Sequence, residues 1–214
     1  MQDPIQRHPT RAEQLDILTD IIAATVPAKG RVLDLGCGTG YLGHLLRGKR
    51  DDIDFVGVDL KPESLAEAAK NLPDATLVEG NLDAPGDLDV PDGGYDAIVT
   101  VLTFHDLNDA GKQRVLTWAA GRLAPKGLLL VMDRLRLTEP ALFDAQKAIW
   151  ARLERVHGTG MRTAEDFDSY VEDLGSDNRP AALADYVAWL SGIGLAAACL
   201  HLHGNIAILG AVRP

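Results

Sequence analysis

The chain has 214 residues, 46% of them hydrophobic and 24% charged, with a formal net charge of -10. That length suits one sizeable domain and is short for two, and the acid excess argues against the broad basic face that tracks nucleic acid. Two cysteines, Cys37 and Cys199, carry neither metal-ligand spacing nor a disulfide framework, and they fit a reducing cytoplasm.

Residues 1–30 are read as an N-terminal helical segment. The opening MQDPIQRHPTRAEQ is polar, without an apolar signal core, so export is not expected. From Arg11 to Val26, Leu15, Leu18, Ile22 and Val26 recur at helical spacing until Pro27 stops the pattern. Strand and helix signals then alternate. Val32 to Leu35 reads as a strand, Tyr41 to Leu46 as a helix, and Ile53 to Val58 as a strand ending at Asp59. The basic cluster Arg47 to Arg50 is followed at once by Asp51, Asp52 and Asp54, which reads as a solvated helix end. Pro62 suits the first turn of a helix that places Leu65, Ala68, Ala69 and Leu72 on one face. Ala75 to Val78 and Tyr95 to Leu102 are the third and fourth strands.

Asp106, Asn108 and Asp109 supply caps for a helix carrying Val115, Leu116, Ala119 and Leu123, which Pro125-Lys126-Gly127 is expected to end. Leu128 to Met132 is a continuous apolar run, as a central parallel strand requires. Strands separated by helices imply βαβ units and an α/β sheet covered on both faces. Between residues 134 and 178 the alternation pauses for two helical patterns. The first carries Leu142, Phe143, Ile149, Trp150, Leu153 and Val156, and the second runs from Thr163 to Leu174. This insertion follows the carboxyl end of the fifth strand, where open parallel sheets bind ligands, so it is placed as a lid. A further helix, Ala181 to Leu190, precedes the apolar stretch Ile193 to Val212. His201, His203 and Asn205 interrupt that stretch, which reads as two short strands and a tight turn rather than a membrane span.

The chemistry-bearing stretch is RVLDLGCGTGYLGHLL, Arg31 to Leu46. A strand, a glycine turn and a helix start form a general nucleotide-binding device. Gly36, Gly38 and Gly40 are spaced G-x-G-x-G rather than as the dinucleotide fingerprint, and Asp34 precedes them. An aspartate there repels a pyrophosphate and suits a ligand bearing an ammonium group. Asp59, at the end of the second strand, is placed to accept ribose hydroxyls.

With VLDLGCGTG, GVDLKPESLAEAAKN, VEGNL, YDAIVTVLTFHDL and RLAPKGLLLVMD in view, the chain resembles the class I S-adenosylmethionine-dependent methyltransferases, from about Arg31 onward. The resemblance implies one Rossmann-like domain over 1–214: seven strands, mostly parallel, an antiparallel last strand, helices on both faces and a helical lid insertion over 134–178. The charge, the interrupted apolar tail and the cysteines lead to an expectation of no nucleic acid, no membrane and a cytoplasmic enzyme, and the helical lid is similar to that of small-molecule methyltransferases, which implies a small-molecule acceptor. It also implies S-adenosylmethionine as cofactor and S-adenosylhomocysteine as product. The backbone of Gly36, Cys37 and Gly38 would lie under the ligand, Asp34 would meet its amino-acid end and Asp59 its ribose. Leu60 would pack on the adenine, Asn81 with Leu82 would meet its edge, and backbone around Thr100 would face the methionine portion.

His105, following the fourth strand at the substrate edge, is the candidate general base, because imidazole as a side-chain type suits proton transfer. The alternative is a histidine packed beside a helix start or against the cofactor. The segment Thr100-Val101-Leu102-Thr103 lacks both the Asn/Asp-Pro-Pro-aromatic motif of amino-methyltransferases and the Pro-Cys nucleophile of cytosine-carbon enzymes. Asp106 and Asp133 are too few for the metal site of catechol-type enzymes, so no metal is expected. A short-chain nicotinamide oxidoreductase would want a Tyr-x-x-x-Lys pair that the chain does not contain. Two readings stay open beside methyl transfer. One is a cofactor-binding module without turnover. The other is an enzyme resembling carboxy-S-adenosylmethionine synthases, for which Arg162 and Arg179 are the nearby arginines. Trp150, Phe143, Tyr170 and Met161 are expected as lid core rather than as a pocket lining. Arg152 and Arg155 suit an anionic acceptor, a signal blurred by Glu154 and the acids from Glu165 to Asp173.

Overall fold

The computed structural model describes residues 10–158, 160, 163–175 and 178–214. Seven strands form one sheet: β1 (Arg31–Leu35), β2 (Asp54–Asp59), β3 (Thr76–Glu79), β4 (Tyr95–Val101), β5 (Leu123–Arg134), β6 (Ala196–His203) and β7 (Ile206–Val212). Their order is β3-β2-β1-β4-β5-β7-β6. Pairing is parallel from β3 through β5, and β7 runs antiparallel to both β5 and β6. The strand order reverses between β1 and β4, the switch point where such sheets open a crevice.

Alternation along the central strands sends successive side chains to opposite layers. Val32, Val99, Leu130, Met132 and Ile208 pack under α1 (Arg11–Thr25) and α2 (Tyr41–Lys49), which contribute Leu15, Leu18, Ile22, Leu42 and Leu46. Leu33, Ile98, Leu129, Val131 and Leu209 face α4 (Asp109–Arg122) and α7 (Leu183–Gly192), which contribute Val115, Leu116, Ala119, Tyr186 and Leu190. Because both faces are covered, the middles of the parallel strands are mostly apolar, with Asp34 and Thr100 as buried polar exceptions. The helix α3 (Pro62–Asn71) crosses from β2 to β3 with Pro62 in its first turn. The basic cluster at the end of α2 meets carboxylates: Arg47 pairs with Asp74 at 2.7 Å and Lys49 with Asp16 at 2.7 Å.

The insertion builds a small core of its own. In α5 (Phe143–His157) and α6 (Phe167–Glu172), Phe143 meets Trp150 and Phe167 edge-on at 5.8 and 5.7 Å, with Leu153 and Tyr170 buried beside them. Trp150, Phe143 and Tyr170 thus lie in the insertion's core, with Phe143 also lining a groove beside it; Met161 and Arg162 lie outside the described residues. Among the described residues, no helix is long and apolar enough to cross a membrane.

Three elements differ from the sequence reading. The second insertion helix begins only at Phe167, because the Asp166 carboxylate accepts the Ser169 amide at 2.8 Å and caps it there. The helix expected from Ala181 begins at Leu183, where Asp185 reaches back to the Ala182 amide at 3.1 Å. Pro125-Lys126-Gly127 does not separate α4 from β5. The helix ends at Arg122, and Leu123 already pairs with Tyr95. A register shift follows, with Lys126 at φ +67, before Leu128 pairs with Ala97.

Candidate functional site

At the carboxyl ends of β1, β2 and β4 lies a cleft of about 490 Å³, a size that suits a small organic ligand. It is lined by the glycine loop, by Asp59 and Leu60 after β2, by Gly80 to Asp83 after β3, and by residues after β4. The turn from β1 to α2 is fixed by its backbone. The amides of Gly36 and Cys37 both donate to the Val58 carbonyl, at 2.8 and 2.9 Å. Gly36 has φ +83, and a Cβ there would stand 2.4 Å from Thr103 Oγ1, so only glycine lets the loop pass under the β4 turn. At Gly38 a Cβ would meet nothing within 4 Å, leaving the backbone bare toward the cleft.

Asp59 is held by the loop it faces. Its two oxygens accept from Gly38 N at 2.8 Å and Lys61 N at 2.9 Å, which orients the carboxylate and leaves further lone pairs toward the cleft. Leu60 beside it is 59% exposed, a large apolar surface on the rim. Across from it, Asn81 Oδ1 accepts the Asp83 amide at 2.9 Å, which sets the turn and places the Asn81 side chain on the cleft wall with Leu82.

Asp34 forms the floor. It is 1% exposed, and its Oδ1 has no hydrogen-bond partner among the described residues. Burial pushes its pKa up to about 7, the Asp59 charge adds to the rise, and Arg11 opposes it. A buried carboxylate oxygen without a donor fits an ammonium-bearing ligand, since its desolvation is otherwise unrewarded. Arg11 and Leu15 line the same cleft from α1. Nothing in the local pattern of α1 singles Arg11 out; only the fold brings a guanidinium to Asp34. Cys37 is buried against the Gly57 backbone, and burial, then the charges of Asp34 and Asp59, hold its thiol well above the usual range. It is a packed residue rather than a nucleophile.

Two expected residues stand elsewhere than expected. Thr100 is 1% exposed and does not line the cleft. The strand continues through Val101, and Leu102 takes φ +50 with its amide donating to Met132 O at 2.8 Å. Val101, Leu102 and Thr103, the backbone just beyond Thr100, form the cleft wall there. His105 is also buried and is not among the lining residues. Its Nδ1 lies 2.7 Å from Asp133 Oδ1, and its amide donates to Asp133 Oδ2 at 2.7 Å. Its Nε2 is 3.6 Å from Asp106 Oδ1, and Asp106 does line the cleft. Asp106 and Asp133 thus flank the imidazole, which stands one side chain away from the cavity.

Arg179 is exposed and borders a separate small pocket with Asn108, Asp109 and Arg136 rather than the cleft; its guanidinium donates to the Asp106 carbonyl. A larger groove of about 860 Å³ runs between α5, α7 and the β6–β7 turn, lined by Leu137, Leu142, Ile149, Val187 and Leu202. It shares no lining residue with the cleft. The converging polar groups are in the smaller cavity, which makes that the candidate site.

Residues 32–127 match the family model described as a methyltransferase domain. The chain is 30% identical over 138 residues to a protein of Pasteurella multocida named ribosomal RNA small subunit methyltransferase C, covering 62% of this chain and 42% of that one. It therefore spans about two fifths of that relative's length. An O-methyltransferase family protein from Burkholderia thailandensis superposes with a TM-score of 0.69 at 17% identity, over 94% of this chain and 55% of that chain. Magnesium protoporphyrin IX methyltransferase from Synechocystis, with bound SAH, superposes with a TM-score of 0.65 at 16% identity, over 100% of this chain and 89% of that chain.

Proposed function

We propose that this chain, which carries a methyltransferase domain on the class I fold, binds S-adenosylmethionine in the cleft and transfers its methyl group to a small-molecule acceptor. The observation that carries the reading is the buried Asp34 oxygen that has no hydrogen-bond donor among the described residues, in a cleft that Arg11 and the glycine loop also line. Together Asp34 and Arg11 offer one anionic and one cationic group to the ammonium and carboxylate of an amino-acid moiety. Asp59 would accept from the ribose hydroxyls, Leu60 would cover one face of the adenine, and the Asn81 amide would meet its edge. The bare backbone at Gly38 admits the nucleoside.

When bound, S-adenosylmethionine supplies an electrophilic methyl group on a sulfonium, open to in-line displacement. The chain's own task is to hold the acceptor atom at about 3–3.5 Å and aligned with that carbon. If the acceptor arrives protonated, His105 is the group placed to take the proton. Donation of its Nδ1–H to Asp133 fixes the tautomer and leaves the Nε2 lone pair toward Asp106 and the cleft. With the ring set back from the wall, His105 reaches an acceptor through one water or after a rotation of Asp106.

RNA is the competing acceptor, favoured by the name of the Pasteurella relative. The net charge of -10 and the rim carboxylates Asp59, Asp83 and Asp106 favour a small molecule. Calorimetric titration with S-adenosylmethionine and S-adenosylhomocysteine tests the cofactor. Methyl-transfer assays on a small-molecule panel and on ribosomal RNA then separate the acceptors. Turnover on RNA alone would overturn the small-molecule reading.

A further inference from the structure

Lys112, on α4, is an unusual lysine. It is 0% exposed, and its ammonium lies 2.6 Å from the Leu107 carbonyl, 2.6 Å from the Arg179 carbonyl and 3.2 Å from Asp109 Oδ1. Burying an ammonium is costly unless its donors are satisfied, and here all three are directed at acceptors. The two carbonyls belong to segments far apart in sequence. Leu107 ends the turn after β4, which forms a wall of the cleft. Arg179 belongs to the stretch by which the chain returns from the insertion to α7.

The same two segments meet at further points. The Arg179 amide donates to the His105 carbonyl at 2.7 Å, and its guanidinium donates to the Asp106 carbonyl. On its other side the return stretch is tied to the extension of β5, where Arg136 N donates to Ala181 O at 2.9 Å. The backbone from Leu102 to Leu107 therefore has two sides: one faces the cleft, the other is bonded to the return stretch.

We propose that Lys112 is a positioning residue that couples the insertion's return stretch to the cleft wall, so that cofactor binding orders residues 178–182 and acceptor-side changes there alter cofactor affinity. By linkage the effect runs both ways with one coupling free energy. The proposal rests on the cofactor reading of the cleft. A lysine that only fastened the fold would stabilise the protein without linking the cleft to the return stretch. The ammonium instead joins two backbones directly, so displacement of one is carried to the other.

The test is amide hydrogen exchange on the full chain with and without S-adenosylhomocysteine, in the wild type and in Lys112→Met. Calorimetry first establishes that S-adenosylhomocysteine binds the wild type. Failure there sinks the cofactor reading, and this proposal with it. Given binding, exchange in the wild type is expected to slow both in peptides covering Gly36 to Gly38 and in peptides covering Arg179. In Lys112→Met the first protection persists, the second shrinks because only the Arg179 bonds to the His105 and Asp106 carbonyls remain, and affinity falls about tenfold, within the usual span of coupling effects. Arg179 peptides that ignore the ligand in the wild type, or that are protected equally in Lys112→Met, overturn the proposal. Should Lys112→Met fail to fold, Lys112→Gln takes its place in the same comparison, and an Arg179 segment indifferent to the ligand in the wild type overturns the proposal by itself.

Discussion

Asp133, at the end of β5, grips His105 at two points: one carboxylate oxygen takes the imidazole Nδ1 at 2.7 Å and the other takes the backbone amide at 2.7 Å. The carboxylate is 2% exposed, so this bond forms away from water and sets the ring's tautomer and direction together. Asp133 thus orients the imidazole, with the ring's second nitrogen facing the cleft-lining Asp106.

Replacing Asp133 with Asn keeps the shape but removes one acceptor from three donors, the His105 Nδ1–H and amide and the Arg134 amide. The imidazole is then free to adopt the wrong tautomer. Turnover on a protonated acceptor is expected to fall roughly 10²–10⁴-fold, the usual span for general-base catalysis. Cofactor affinity should change little. Steady-state kinetics on the acceptor returned by the panel, with calorimetry on S-adenosylhomocysteine, checks the split. An Asp133→Asn enzyme with unaltered kcat would remove His105 from the chemistry.

Asp34 gives the site a pH dependence with a definite sign. Its folded-state pKa, about 7, lies above the ordinary carboxyl value of 3.8. Its contribution to folding is therefore fully present below 3.8, is lost as pH rises toward 7, and stays lost above. The ammonium of the cofactor requires the charged form. S-adenosylmethionine should bind about tenfold more weakly at pH 6 than at pH 8, as one protonation with this pKa dictates. Asp34→Asn should bind weakly at both values and melt higher than wild type without ligand at pH 8. Calorimetry and thermal melts across that range decide it; a flat wild-type affinity would show that Asp34 does not meet the ammonium.

Gly36→Ala probes the loop. The alanine would need φ +83 with its Cβ 2.4 Å from Thr103 Oγ1. The strain alone costs on the order of 1–3 kcal/mol, and relief requires moving the β4 turn that forms the opposite wall. A lowered melting temperature with loss of S-adenosylhomocysteine binding is expected. Restoration of binding in Gly36→Ala with Thr103→Gly would identify the clash as the cause.

The alternation of strands and helices was legible because each βαβ unit writes two periodicities into the chain, and β1, β2 and β4 sit within a residue or two of their expected bounds. The loop and its two acids were legible for the same local reason: glycine spacing and strand ends are features of neighbouring residues. What escaped depends on contacts distant in sequence. Arg11 reads as an ordinary helix residue until α1 is packed over β1, and Lys112 reads as a surface lysine until Arg179 closes over it. That the residues just after Thr100, rather than Thr100 itself, border the cleft depends on the positive φ at Leu102, and leucine gives no warning of that conformation.

The most direct measurement is calorimetric titration of the protein with S-adenosylmethionine, S-adenosylhomocysteine and NAD, beside an Asp59→Ala variant. Asp59 is expected to hold two ribose hydroxyls by charge-assisted bonds worth roughly 1.5–3 kcal/mol each. The predicted result is micromolar binding of both adenosyl ligands, no binding of NAD, and a loss of at least about tenfold in Asp59→Ala. Absence of adenosyl binding, preference for NAD, or indifference to Asp59→Ala would contradict a methyl-donor site in this cleft.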